Sequence, residues 1–218
     1  MRAPGGDTYG GYRARLVEAL RVKGIRDLAV LKAFAETPRH LFVPEAVRHR
    51  AYEDTPLPIG AGQTISQPFT QARYLESLQL TPRDKVLEVG MGSGYQTALL
   101  AALAGQVFAV ERVPALAERG RQALRAAGVT NVSILVGDGT LGWSAYAPYA
   151  AILVAAGGPA VPPPLSDQLA LGGRLLIPLG RHGVQVLTLI RRTDEGLVQQ
   201  PLGDARFVPL IGEHGFDA

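Results

Sequence analysis

The stretch Val86-Leu87-Glu88-Val89-Gly90-Met91-Gly92-Ser93-Gly94-Tyr95 has the residue types and spacing to do chemistry. An apolar, β-branched run carries one carboxylate, Glu88, and three glycines follow at every second position. A glycine has no Cβ, so backbone and ligand can approach closely and φ can turn positive. A strand, a glycine turn and a helix form the unit with which doubly wound α/β folds hold nucleotide-like ligands. The dinucleotide fingerprint G-x-G-x-x-G would need its third glycine at position 95, where Tyr95 stands.

Two further carboxylates fall where a ligand on that turn would meet them. Glu111 lies 21 residues after Gly90, at the end of the next expected strand, where a carboxylate can accept from both ribose hydroxyls. Asp138, in Gly137-Asp138-Gly139, ends the strand after that and is expected to reach an adenine ring, with Gly139 beside it. Glu88 is open to two readings, ligand contact or a structural bond to the backbone donors of the glycine turn. Each acidic residue alone could simply face solvent. Together, Gly90, Gly92, Gly94, Glu111 and Asp138 suit a bound adenosine. The form E-x-G-x-G-x-G resembles that of S-adenosylmethionine (SAM) methyltransferases, which bind no pyrophosphate. SAM, leaving as S-adenosylhomocysteine, is therefore the expected cofactor. An NAD(P)-dependent oxidoreductase and a catalytically silent binding module are the alternatives from other classes.

The elements that must position these residues follow from periodicity. Leu16, Ala19, Leu20 and Lys23 mark one helix closed by Gly24, and Asp27 can cap a second with Leu28, Leu31, Phe34 and Ala35 on one stripe. From Tyr52 to Thr70, prolines and glycines predict a shaped loop without regular structure, followed by a helix from Pro68 to Leu80. Thr64 and Ser66 are candidates to cap that helix. Strands are expected at 86–89, 106–110, 132–136, 150–154 and 174–177, alternating with helices at 96–104, 114–127 and 162–171. Residues 185–190 and 206–210 are expected to close the sheet as an antiparallel pair. The expected fold is α/β, a doubly wound and mostly parallel sheet. The N-terminal helices and loop (1–80) pack on a core (81–218) in one compact unit.

Composition narrows the setting. With 218 residues and 47% hydrophobic content the chain can bury a sizeable core. No cysteine is present, which excludes disulfides, thiolate metal sites and a cysteine nucleophile. No metal site is expected. Net charge is +3, and 19 arginines against 3 lysines are dispersed rather than clustered, which argues against a nucleic-acid surface. No apolar run approaches a membrane span, and Met1 to Gly11 has no signal-like core. A cytoplasmic monomer with neither membrane nor nucleic-acid partner is expected.

The acceptor is narrowed by absences. Cytosine-C5 methylation needs a cysteine. Amino-group methylation of nucleic acids usually uses an Asn/Asp-Pro-Pro-aromatic segment after the fourth strand, where this chain has Ala155-Ala156-Gly157-Gly158-Pro159. That small, uncharged wall suits a substrate that brings its own anionic nucleophile. A small molecule or RNA is the alternative acceptor.

The segment Ala51 to Pro68 (A-Y-E-D-T-P-L-P-I-G-A-G-Q-T-I-S-Q-P) resembles the signature loop of the protein-L-isoaspartate O-methyltransferase family. So do Pro38 to Pro44, Leu87 to Thr97, Gly137-Asp138-Gly139, Gly172-Gly173-Arg174 and Arg206 to Leu210, in the same order. The resemblance implies methyl transfer from SAM to the free carboxylate of L-isoaspartyl or D-aspartyl residues in damaged proteins and peptides. The ester then collapses to a succinimide. It also implies Ser66 as the active-site residue, Thr64 beside it toward the substrate, and Gln67 and Pro68, within a stretch to Gln71, against the cofactor. Two departures stand out: Ala150 replaces the usual acidic residue opening the fourth strand, and Gly157 and Gly158 are expected to loosen the wall behind it.

Overall fold

The computed structural model describes residues 8–181 and 183–217. Met1 to Asp7, the larger part of the N-terminal stretch read above as lacking a signal, lie outside the described residues. Helices α1 (Gly10–Val22) and α2 (Leu28–Glu36) come first, then two short 3-10 turns. Asp27 caps α2 as expected, its carboxylate accepting from Ala29 and Val30 N–H groups.

The segment expected to be an irregular loop contains a small antiparallel hairpin, β1 (Leu57–Gly60) and β2 (Gln63–Ile65). Alternate residues Leu57, Ile59 and Ile65 are buried, so the hairpin is anchored by its apolar face despite its prolines. Helix α3 (Pro68–Leu78) follows, and neither Thr64 nor Ser66 caps it. Asp54 does so from outside the hairpin, its Oδ1 accepting from Phe69 N–H at 2.8 Å.

The core then alternates β3 (Lys85–Val89), α4 (Tyr95–Leu103), β4 (Gln106–Glu111), α5 (Pro114–Ala126), β5 (Val132–Val136), β6 (Tyr149–Val154), α6 (Pro163–Asp167), β7 (Leu169–Arg181), β8 (Val184–Thr193) and β9 (Gly196–Ala205). The sheet order is β5-β4-β3-β6-β7-β8-β9, parallel from β5 through β7 and antiparallel thereafter. The chain reverses direction of growth between β3 and β6. Their carboxyl ends therefore flank the crevice where such sheets bind ligands.

The closing partner of β8 is β9, not 206–210. Residues 206–210 are instead a strap across the carboxyl end of the sheet. Gly157 N–H donates to Val208 O and Leu210 N–H to Gly157 O, both at 2.8 Å. Gln185, 2% exposed, clamps Phe207 from both sides, accepting from its N–H at 2.8 Å and donating to its carbonyl at 3.3 Å. One apolar cluster runs from Leu16 and Phe34 through Leu75 and Leu99 to Leu189 and joins the N-terminal helices to one sheet face. Full burial of each such leucine is worth about 1.5–3 kcal/mol.

Candidate active site

Val89 ends β3 and the chain turns at once. Gly90 N–H donates to Val110 O (2.9 Å) and Gly94 N–H to Met91 O (2.9 Å), closing a tight loop into α4. Gly90, Gly92 and Gly94 all have positive φ, at 88°, 55° and 85°, a region in which an L side chain is strained. Gly94 has a second constraint, because a Cβ there would come within 3.3 Å of the Gly120 carbonyl where α4 meets α5.

A cavity of about 300 Å³ opens beside this turn. Its walls combine the carboxyl ends of β3, β4 and β6 (Gly90, Glu111, Ala155), the hairpin (Thr64, Ser66), Gly139 and the strap from Phe207 to Ile211. Of the residues expected from sequence, Thr64, Ser66, Gly90, Gly92, Glu111 and Gly139 therefore meet on one cavity. The Ser66 hydroxyl has no hydrogen-bond partner among the described residues.

Glu111 grips the turn. Its Oε2 accepts from Gly92 N–H and its Oε1 from Val113 N–H, both at 2.8 Å. A carboxylate offers about four lone-pair sites, so two remain for hydroxyls in the cavity. The positive-φ glycine cradle, the free acceptor sites of Glu111 and the cavity's size fit the adenosyl portion of SAM.

The remaining candidates lie off the cavity wall. Glu88 is fully buried behind the turn, its Oε2 accepting from the Thr97 hydroxyl at 2.5 Å while Oε1 has no partner among the described residues. Burial, more than the nearby Glu111 charge, raises its pKa to about 8, against the pull of the Thr97 bond. The structural reading of Glu88 is the one this geometry matches. Asp138 turns away from the cavity. Its Oδ1 accepts from the Thr140 N–H and hydroxyl, and its Oδ2 from Glu213 N–H at 2.8 Å, which pins the C-terminal segment. Burial alone would raise Asp138, but these bonds hold it below the usual carboxylate range. Gln67 spends its amide nitrogen on Asp54, Pro68 opens α3, and Gly94 caps α4.

Gly157 and Gly158 do not loosen the wall. Beside the two bonds to the strap, Gly158 N–H donates to Pro178 O and Gly180 N–H to Gly158 O. A Cβ on Gly157 would collide with the Gln185 amide, so the glycine is needed for close packing. Near Ala150, Arg174 pairs with Asp84 at 3.0 Å and reaches the Ala150 carbonyl.

Two side chains, Gln96 and Arg39, were given no role from sequence. Gln71, the end of the stretch set against the cofactor, and Gln96 line the cavity, and the Gln96 amide nitrogen is buried without a partner among the described residues. Behind Gln71 lies Arg39, completely buried and stacked 4.7 Å from the centre of the Tyr95 ring. Burial lowers its pKa to about 10, partly offset by Tyr95 and Asp54, so it stays charged at neutral pH. From sequence, Arg39 stands out only as a residue inside the Pro38 to Pro44 segment.

Comparison with known proteins settles the family. Residues 12–215 match the family described as Protein-L-isoaspartate(D-aspartate) O-methyltransferase (PCMT). The chain belongs to the protein-L-isoaspartate O-methyltransferase family. It is 49% identical over 214 residues to the protein-L-isoaspartate O-methyltransferase of Syntrophus aciditrophicus, covering 96% of this chain and 98% of that one. Its fold is similar to a solved protein-L-isoaspartate O-methyltransferase, with a TM-score of 0.86, 30% identity, and coverage of 93% of this chain and 67% of the other. A Plasmodium falciparum protein-L-isoaspartate O-methyltransferase, solved in complex with S-adenosyl-L-homocysteine, matches with a TM-score of 0.80 and 28% identity. That match covers 92% of this chain and 98% of the other.

Proposed function

We infer that this protein transfers the methyl group of SAM to the free carboxylate of L-isoaspartyl, and of D-aspartyl, residues in damaged proteins and peptides. The observation that carries the reading is one cavity uniting the glycine turn and Glu111 with the Ser66 hairpin. SAM, when bound, supplies a methyl group on a positively charged sulfur. Gly90, Gly92 and Glu111 would hold its adenosyl portion, with Gly139 at the far edge; Ser66 and Thr64 would face the acceptor.

The titratable groups of the wall support an acceptor that is already an anion. Among the described residues, Tyr74 is the one titratable side chain lining the cavity besides Glu111 and Arg112, and burial pushes its phenol well above the ordinary value. A phenol so hard to ionise is no general base. A carboxylate with a pKa near about 4 needs none at neutral pH. Attack on a sulfonium methyl brings opposite charges together, so the chain's task is in-line alignment and exclusion of water. In this reading the Ser66 hydroxyl, on the cavity wall, aims one carboxylate oxygen. The backbone nitrogen of the next residue then attacks the ester carbonyl, its proton leaves with the methoxy group as methanol, and the succinimide closes without further help.

In this reading residues 1–80 supply the acceptor loop and 81–218 the donor core. The protein acts as a cytoplasmic monomer on peptides rather than nucleic acid. Among the described residues no helix is long and apolar enough to cross a membrane. Mass spectrometry of an isoaspartyl peptide incubated with the protein and SAM tests the reaction. A methyl ester followed by a succinimide is expected, and an unchanged peptide refutes it.

A further inference from the structure

Ser66 lies in the two-residue gap between the end of β2 at Ile65 and the start of α3 at Pro68, so neither the hairpin ladder nor the helix fixes it. Two charged side chains hold this gap from outside. Arg39, fully buried, donates from Nη2 to the Ser66 carbonyl at 2.9 Å. Asp54, on the segment that enters the hairpin, holds the residues that follow Ser66. Its Oδ1 accepts from Phe69 N–H at 2.8 Å, a first-turn donor that has no acceptor within the helix. The Gln67 amide nitrogen donates to the Asp54 carbonyl at 3.1 Å and to its Oδ2 at 3.2 Å. The Lys23 ammonium at the end of α1 also donates to Oδ2, and it sits 5.4 Å from the centre of the Phe69 ring. Asp54 thus joins α1, the base of the hairpin and the first turn of α3 around Ser66.

We propose that Asp54 is a positioning residue for methyl transfer, closing the base of the hairpin so that the Ser66 hydroxyl points at the acceptor carboxylate. The proposal rests on the isoaspartyl reading above. Ser66 lines the cavity and Asp54 does not, so the effect of Asp54 on the reaction runs through Ser66. It is bounded by the effect of deleting the Ser66 hydroxyl.

The test is a double-mutant cycle of Asp54→Ala with Ser66→Ala, run well below the melting temperature. For each variant, kcat and KM for an isoaspartyl peptide and the affinity for S-adenosylhomocysteine are measured. Asp54→Ala alone is expected to lower kcat about fivefold, within the loss of about tenfold expected of Ser66→Ala. In the Ser66→Ala protein the same change is expected to cost less than about twofold, because the group it aims is gone. S-adenosylhomocysteine affinity is expected to hold throughout. Asp54→Asn keeps an acceptor for Phe69 N–H and loses the charge facing the part-exposed Lys23, so kcat is expected to recover to at least about half of wild type. Asp54→Glu keeps that charge but carries its oxygens one methylene too far, and it runs the same cycle if the alanine variant unfolds. A loss of equal size in both backgrounds marks a general structural role and overturns the proposal. An asparagine variant as slow as the alanine one overturns it too, since the bond to Phe69 would not be what sets Ser66. A loss that falls on S-adenosylhomocysteine affinity gives Asp54 to the donor side and overturns it equally. A wild-type protein that methylates no isoaspartyl peptide overturns the parent reading, and this inference with it.

Discussion

Replacing Glu111 by glutamine tests the donor half of the site. The wild-type carboxylate accepts two backbone N–H bonds of 2.8 Å, from Gly92 and Val113, and keeps two lone-pair sites for hydroxyls. Glutamine has one oxygen. Whichever way the amide turns, an NH2 faces one of the two backbone donors, and one hydroxyl loses its acceptor. A hydrogen bond to a charged group is worth about 1.5–3 kcal/mol, so the ligand loses about tenfold to a hundredfold in affinity. The broken backbone bond costs a similar amount of stability, a fall in Tm of roughly 3–10 °C for a chain this size. Isothermal titration with S-adenosylhomocysteine, well below the melting temperature, reads the first effect, and thermal melting the second. Wild-type affinity in a variant that melts lower would show that Glu111 holds the turn and nothing else, and would refute its role as a ligand acceptor.

Three further outcomes follow from the same geometry. Ser66→Ala removes one aiming hydrogen bond and is expected to lower kcat about tenfold with S-adenosylhomocysteine affinity nearly intact, as read by steady-state kinetics and titration. Glu88 has a folded pKa of about 8 against an ordinary 4.5. Its stabilising contribution is therefore complete below about pH 4.5 and is lost as pH rises through about 8. Glu88→Gln, which cannot ionise, should melt like wild type near the acid end and increasingly above it toward the alkaline end. A melting difference that stays flat with pH would count against the raised pKa. Gly139→Ala would put a Cβ 2.4 Å from Val89 Cγ1. It is expected to cost about 1–3 kcal/mol in wild type and clearly less in a Val89→Ala background, as measured by denaturant unfolding.

What could be read from the sequence tracks the strength of local signals. The run Val86 to Ala104 states strand, turn and helix through apolar content and glycine spacing, and the structure places all three there. The β8–β9 pairing was missed because β9 is an exposed edge strand, with Gln199, Gln200 and Pro201 on a segment that has no buried face to impose alternation. Phe207, Val208 and Leu210 look like a strand, but Pro209 and the Gln185 clamp make them a strap over the cavity. The hairpin at 57–65 was hidden by proline and glycine. Asp138 read as a ligand contact from its place at a strand end, and only the three-dimensional return of Glu213 shows that its carboxylate also holds the C-terminal segment. Arg39 gave no local signal, because an arginine reads as surface until a cavity is seen behind it.

The central claim is that the acceptor is an isoaspartyl carboxylate. The most direct measurement supplies labelled SAM to two peptides of one sequence, one with a normal aspartyl residue and one with its isoaspartyl isomer. The account predicts label in the isoaspartyl peptide and essentially none in its twin. Equal labelling of both, or of neither, would contradict it.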